Sequence, residues 1–148
     1  MNIKYEGSFV VDKESSRVFK LLTNPRVFAR TFPGYRNVSI ADNGDFIVEL
    51  VVNIGSLRGD ATVRGRFIEI TEYRLVKVSG TGIGVNSTLH YTLTFTLSSI
   101  DSKTRIDWVF EGVIEGLASL LGSKVLDNIT KILIDDIISR LKDMILES

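Results

Sequence analysis

Cysteine is absent from the 148 residues, proline occurs twice and histidine once. Without cysteine the chain has no disulfide framework, no thiolate metal site and no cysteine nucleophile. Lys plus Arg and Asp plus Glu each number 18, so no overall field attracts nucleic acid, and we expect no nucleic-acid partner. Residues 1–13, MNIKYEGSFVVDK, lack the apolar core of a signal peptide, which predicts a cytoplasmic protein.

The residue spacings that are typical of metal and cofactor sites are also absent from the sequence. No group of His, Asp and Glu is arranged as metal ligands are. The glycine-rich residues 80–84, GTGIG, match neither phosphate-loop pattern and lead into a strand rather than a helix. No serine or threonine has a base nearby in the sequence. We therefore expect no metal and no cofactor.

Acid and base candidates fall on the polar side of strand patterns. His90 alternates with apolar neighbours, which places it on the polar face. Glu111 and Glu115 alternate in the same way against Trp108, unless a β-bulge near Gly112 reverses the alternation beyond it. The sequence therefore predicts no catalytic residue. The outward arginines, Arg64 and Arg66 among them, are expected to pair with such acids across the strands.

The front of the chain reads as one strand and two short helices. Residues 3–11 alternate as a strand does, and Asp12 is expected to cap a helix over 13–22. Asn24 with the following proline predicts the N-cap and first turn of a second helix. Pro33 followed by glycine predicts a type II turn that ends this helix.

From residue 35 onward, alternation predicts a meander of six antiparallel strands. It opens with a hairpin at Asn43 and Gly44. Further strands are expected at roughly 58–70, 73–82, 85–98 and 104–115, with ends good to about 2–4 residues. Residues 117–147 then change to a helical period and predict one amphipathic helix, roughly 45 Å long at about 1.5 Å per residue. The sum is an α+β fold, in which this helix covers the apolar face of a curved seven-stranded antiparallel sheet.

Three segments of this pattern carry a family resemblance. They are GSFVVDKESSRVFKLLTNPRVFARTFPG, SLRGDATVRGRF and TRIDWVFEGVIEGLASLLGSKVL, which together span nearly the whole chain. They resemble the CoxG family, which is named after a carbon monoxide dehydrogenase subunit and belongs to the START-like (SRPBCC) superfamily. The resemblance implies one START-like domain over residues 1–148 with the helix-grip fold. In that fold the sheet wraps around the C-terminal helix, and the two short helices between strands 1 and 2 lie near the mouth of an elongated cavity.

The resemblance also implies which side chains line that cavity. Phe28 and Phe32 would belong to a lid fixed by the two prolines, and the other members lie on strand faces assigned inward or on the C-terminal segment. The predicted ligand-binding set is Phe28, Phe32, Phe46, Val48, Leu50, Val63, Phe67, Tyr91, Leu93, Trp108, Phe110, Leu121 and Val125. Polar residues expected to orient a ligand's polar end are Asn53, Tyr5, Tyr91 and Ser79. The alternative for each is that it fills a core or reaches solvent.

Two functional hypotheses follow from the resemblance. The family implies a non-catalytic protein that holds a lipid-like or quinone-like molecule, contacts the cytoplasmic face of the membrane, and assists or anchors a molybdenum hydroxylase such as carbon monoxide dehydrogenase. Polyketide cyclases and aromatases of the same superfamily supply the alternative, an enzyme acting in the same cavity. The inward set contains no assigned His, Asp, Glu, Lys or Arg, which favours the carrier over the enzyme. An interaction module with a filled core is a third alternative.

Overall fold

Seven strands form one antiparallel sheet in the computed structural model, which describes residues 1–148. The strands are β1 (Asn2–Val11), β2 (Tyr35–Ile40), β3 (Phe46–Ile54), β4 (Leu57–Thr71), β5 (Leu75–Gly84), β6 (Ser87–Ile100) and β7 (Lys103–Gly116). Their order across the sheet is β1-β7-β6-β5-β4-β3-β2. The meander from β2 to β7 is confirmed, and β1 extends it by pairing with β7.

The helices occupy the predicted places but begin differently. They are α1 (Ser15–Leu22), α2 (Pro25–Phe28) and α3 (Ser123–Glu147), with short 3-10 turns at Ala29–Thr31 and Leu117–Leu121. Asp12 is not the cap of α1, so that prediction is wrong. The Thr104 hydroxyl donates to the Lys13 carbonyl at 2.7 Å, and Glu14 at the N-cap is extended, with ψ 151°. Because the chain bends at residues 12 and 13 and Glu14 takes the N-cap position, α1 begins two residues later than Asp12 would require.

Both prolines act as predicted. Asn24 caps α2, its Oδ1 accepting a hydrogen bond of 3.2 Å from a first-turn amide, and Pro25 is the first helical residue. The Tyr35 amide donates to the Phe32 carbonyl at 3.1 Å and closes the next turn. Gly34 has φ +76° there, which a type II turn requires at its third position.

The prediction of a single C-terminal helix over 117–147 is wrong in one respect. Gly122 has φ +85° and ψ 156°, a conformation that an α-helix cannot contain, so residues 117–121 form a separate 3-10 turn. Backbone hydrogen bonding ties that turn to the β5–β6 connection, since the Leu117 amide donates to the Asn86 carbonyl at 2.9 Å. The remaining helix α3 has 25 residues and is about 37 Å long at about 1.5 Å per residue.

Alternation sorts the sheet into an inner face toward the helices and an outer face. One row of inward residues across five strands is Tyr5, Phe110, Leu93, Val78 and Phe67. No inward position of this register carries Asp, Glu, Lys, Arg or His. The pairing of β6 with β7 runs without a bulge through Glu115. The outward and exposed placement of His90, Glu111 and Glu115 is therefore confirmed.

The tightly packed core lies at one end of the molecule. There α1 and the C-terminal part of α3 pack on the first residues of β7 and the last of β6. Val18, Ile106 and Ile145 are completely buried in this region. Because the core is concentrated there, the rest of the inner face is covered less closely.

On the outer face, Asp45 joins the start of β3 to β4. Its two carboxylate oxygens accept hydrogen bonds from Arg66 Nε at 2.6 Å and Arg64 Nε at 2.9 Å. These bonds, with Arg66 the larger contributor, lower the pKa of Asp45 to about 2. The expected pairing of these arginines with acidic residues of the other strands is therefore wrong, because the β2–β3 turn supplies their partner instead.

Replacing Asp45 tests this pairing through the pH dependence of stability. A carboxyl whose pKa falls from 3.8 to about 2 on folding stabilises the protein above its unfolded value and loses that contribution as the pH falls through the folded value. Asp45→Asn should therefore lower the unfolding free energy at about pH 6 and converge on the unsubstituted protein at about pH 2. Denaturant titrations across that range measure this. Asp60→Asn, which removes a fully solvated pair with Arg36 at 3.9 Å, is the control that should change little at any pH.

Candidate ligand cavity between the sheet and helix α3

The middle of α3 runs over the inner face without burying its own side chains. Its only buried residues are Leu126 near one end and Leu141 and Ile145 near the other. The isoleucines at 134, 137 and 138 are half-buried, as are the inward sheet residues Trp108 and Phe110. Apolar side chains of both layers thus keep accessible surface in the same region.

A groove of about 330 Å³ opens along the seam where α3 lies beside β1. Its apolar walls are Phe9, Trp108, Ile134 and Ile138, and its polar edges are Ser8, Asp135, Ser139 and Lys142. The Trp108 ring lies against Gly7, where a Cβ atom would be only 2.7 Å from the ring. Glycine at position 7 therefore lets the indole form the floor of the groove.

A polar contact closes the seam beyond one end of this groove. The Tyr5 hydroxyl donates to Asp127 Oδ1 at 2.6 Å. Burial raises the pKa of Tyr5, and the hydrogen bond to Asp127 raises it further. Thr130 donates to the Leu126 carbonyl at 2.7 Å. This Tyr5–Asp127 pair is the point where a side chain of β1 bonds directly to α3.

The predicted lid residue Phe28 is part of an aromatic cluster. Its ring meets Phe46 edge-on at a centroid distance of 5.4 Å, Phe32 at 6.0 Å and Phe67 at 6.4 Å. Phe28 is 6% exposed and Phe46 1%. The cluster fixes α2 and the following turn to β3 and β4, so Phe28 fills a packed site and Phe32 lies at its edge.

The thirteen predicted cavity residues divide by burial. Phe28, Phe46, Val48 and Tyr91 are buried, Val125 is exposed, and the half-buried members are Phe32, Leu50, Val63, Phe67, Leu93, Trp108, Phe110 and Leu121. Half-buried residues are the ones that retain surface for a ligand. The ligand-binding role of the set stays a prediction.

The four polar candidates divide between the two faces. Tyr5 and Tyr91 are inward, whereas Asn53 and Ser79 pair with the outward arginines of β4 and lie on the outer face, so their inward assignment is wrong. The Tyr91 hydroxyl donates to the Arg64 carbonyl at 3.2 Å. Burial raises the pKa of Tyr91 well above its usual value. Tyr91 therefore has its proton already in use.

Sequence reasoning missed the α3 side of the groove and Asp127. Ile134 and Ile138 are one helical turn apart, a spacing that could have marked them as a shared face. Gly7 also lies directly opposite Trp108 in the β1–β7 register, which could have indicated the indole's position. Nothing in the sequence pattern connects Asp127 with Tyr5.

A wider depression of about 670 Å³ lies on the outer face. Polar side chains such as Lys4, His90, Thr92 and Glu111 line most of it. It lacks the apolar walls that small-molecule pockets usually have. The seam groove, although smaller, fits an apolar ligand better.

A comparison with known protein families identifies the family of this chain. The model of CoxG, the family named for a carbon monoxide dehydrogenase subunit, matches residues 7–146. The chain belongs to this family. The match includes β1 from Gly7 onward and nearly all of α3, so both walls of the groove lie within the family region. No curated protein matches the chain by sequence.

Solved structures share the fold at low identity. A conserved protein from Geobacillus kaustophilus has a TM-score of 0.90 at 18% identity, covering 100% of this chain and 97% of that one. A START superfamily protein from Mycobacterium smegmatis has a TM-score of 0.74 at 6% identity, covering 97% of both chains. The Zhui aromatase/cyclase from Streptomyces sp. R1128 has a TM-score of 0.67 at 14% identity, covering 99% of this chain and 93% of that one. The chain therefore has the START-like fold. Family and fold together support a ligand-binding domain.

No helix combines the length and the apolar character needed to cross a bilayer.

Shortening Phe28 tests whether this side chain is needed for packing. Phe28→Ala should lower the unfolding free energy by about 3–5 kcal/mol, as for other buried phenylalanines. Phe32→Ala, at the half-buried edge of the same cluster, should cost clearly less and is the matched variant. Denaturant unfolding measures both. A larger stability loss for Phe32→Ala than for Phe28→Ala would contradict the packing described here.

Proposed function

We propose that this chain is a non-catalytic carrier that holds a lipid-like or quinone-like molecule between the sheet and α3. The observation that supports this is the inner face, whose sheet residues include no charged side chain and whose aromatic and aliphatic groups keep accessible surface beneath α3. Apolar walls with few polar groups are typical of sites for apolar ligands.

The energetics are sufficient for useful affinity. Burying about 300 Å² of apolar ligand surface at roughly 25 cal/mol per Å² contributes a gross ~7 kcal/mol. Ordering of the ligand and of side chains such as Trp108 and Ile134 takes part of this away. An affinity in the micromolar range remains reachable.

We further propose that the protein works at the cytoplasmic face of the membrane and assists or anchors a carbon monoxide dehydrogenase-type molybdenum hydroxylase. The family supports the enzyme partner, and a surface patch supports the membrane contact. We define this apolar patch as Leu117, Leu120, Val125 and Ile132, which are exposed on the 3-10 turn and the N-terminal half of α3. Leu120 is 80% and Ile132 66% exposed, and Lys124 and Lys131 lie exposed beside them. Apolar side chains flanked by lysine suit an anionic lipid surface.

The enzyme alternative rests on a different observation. Tyr5 and Asp127 form the one hydrogen-bonded acid and hydroxyl pair between β1 and α3, and a structural neighbour is an aromatase/cyclase. A catalytic role would require this pair to exchange a proton with substrate. The Tyr5 hydroxyl proton is held in the 2.6 Å hydrogen bond to Asp127, which favours binding over proton transfer.

Ligand binding is expected to be visible through Trp108, the one tryptophan. Titration with medium-chain lipids and menaquinone analogues should change its fluorescence, because the indole forms the groove floor, and should raise the melting temperature. Unchanged fluorescence together with an unchanged melting temperature across the series would count against the carrier.

Two matched substitutions on α3 separate the groove from the apolar patch. Ile134→Asp puts a charge inside the groove and should abolish ligand binding while retaining sedimentation with anionic vesicles. Ile132→Asp, two residues away on the exposed side, should retain ligand binding and reduce sedimentation several-fold. Fluorescence titration and vesicle co-sedimentation give the two readouts. If both variants lost the same activity, the groove and the patch would not be separate surfaces.

A further inference from the structure

The hydroxyl groups around the Tyr5–Asp127 pair have already used their protons. Tyr5 donates to Asp127 at 2.6 Å, and Thr130 donates to the Leu126 carbonyl at 2.7 Å. A carboxylate has no proton to give. The oxygens left at this point, Asp127 Oδ2 and the lone pairs of Tyr5 and Thr130, can therefore only accept hydrogen bonds.

This acceptor set lies in line with the groove. Tyr5 is one inward position before Gly7 on β1, and Thr130 is one helical turn before Ile134 on α3. A molecule whose apolar part lies against Trp108 thus reaches the acceptors with its end. The group it carries there meets the negative charge of the exposed Asp127 side chain and the acceptor oxygens of Tyr5 and Thr130.

We propose that Asp127, held by Tyr5, selects the polar end of the ligand, and that this end is a neutral hydrogen-bond donor such as an alcohol or hydroquinone hydroxyl. A carboxylate or phosphate would be repelled by Asp127, and an ether or ester would gain no hydrogen bond from these oxygens. The inference rests on the proposed carrier function and narrows its ligand class. Asp127 is a specificity-determining residue in this account and has no part in bond making.

Lys142 is the one cationic residue that lines the groove, and an anionic end could bind there instead. It edges the opposite end of the groove, with Nζ 5.3 Å from the centre of the Phe9 ring. The helix turns between Asp127 and Lys142 span about 22 Å at about 1.5 Å per residue. The two ends of the groove therefore make opposite demands on the ligand, and a comparison of ligands decides between them.

The test compares three ligands whose saturated chains differ by at most one methylene, 1-dodecanol, dodecanoate and dodecyl methyl ether, by Trp108 fluorescence titration of the full chain. Dodecanol should bind about tenfold or more tightly than either of the others, as expected for a hydrogen bond to a charged acceptor. Asp127→Asn, which replaces the carboxylate with a neutral amide that can donate, should bring the three affinities within about threefold of one another. Asp143→Asn, the same substitution at an exposed position of α3 outside the groove lining, is the matched control and should keep the preference.

Tyr5→Phe keeps the carboxylate but removes the hydroxyl that holds it, so this second variant should reduce the preference for dodecanol without reversing it. Two results would overturn this inference but leave the carrier function standing. One is equal binding of dodecanol and its ether, and the other is a preference for dodecanoate that is lost in Lys142→Met. Retention of the dodecanol preference in Asp127→Asn would also overturn it. Binding of none of the three ligands would instead contradict the carrier function itself.

Discussion

The pairing of β1 with β7 is the constraint on which the other features depend. It runs over all ten residues of β1 without a register shift and so fixes which of them face inward. Three inward residues of β1 then lie along α3. Tyr5 bonds to Asp127, Gly7 lies against the Trp108 ring, and the Phe9 ring lies beneath Lys142. Without this pairing α3 would have no strand beside it, and the groove would have no second wall.

The helix is held firmly at one end and lightly elsewhere, and this distribution suits ligand binding. At the C-terminal end Leu141 and Ile145 are buried, and Arg17 donates to the Ser148 carbonyl oxygen at 2.5 Å. Toward the other end the direct side-chain bond to β1 is that of Tyr5. Regions with few buried apolar contacts open at lower free energy than the core. Access to the inner face therefore costs less along the middle of α3, where no side chain between Leu126 and Leu141 is buried, than near Ile145.

Patterns of short range in the sequence predicted the elements and their faces. Alternation placed His90 outward, and proline, asparagine and glycine placed the turns, because both depend only on neighbouring residues. The same alternation cannot predict how deeply an inward side chain is buried. Phe46 and Leu93 are both inward, yet Phe46 is fully buried among aromatic rings and Leu93 is half-buried, a difference set by which helix happens to cover each strand.

Contacts between residues far apart in the sequence could not be predicted. Tyr5 and Asp127 are 122 positions apart, and Arg64 and Arg66 bond to the β2–β3 turn rather than to the strands expected. An isolated glycine such as Gly122 is compatible with a continuous helical pattern, since helices tolerate single glycines. Its positive φ follows from the hydrogen bonds that tie the preceding turn to residues 86 and 87, which no local pattern reveals.

The position of β1 in the sheet also has a consequence for how the protein is made. β1 precedes the other six strands along the chain but pairs with the last of them, and the amino group of Met1 donates to the Ile114 carbonyl across 113 positions of sequence. Such non-local pairing forms slowly, because a long loop must close before any contact stabilises it. β1 therefore waits, with its apolar side chains uncovered, until more than a hundred further residues have been synthesised. During that interval the unpaired strand is open to pairing with other chains.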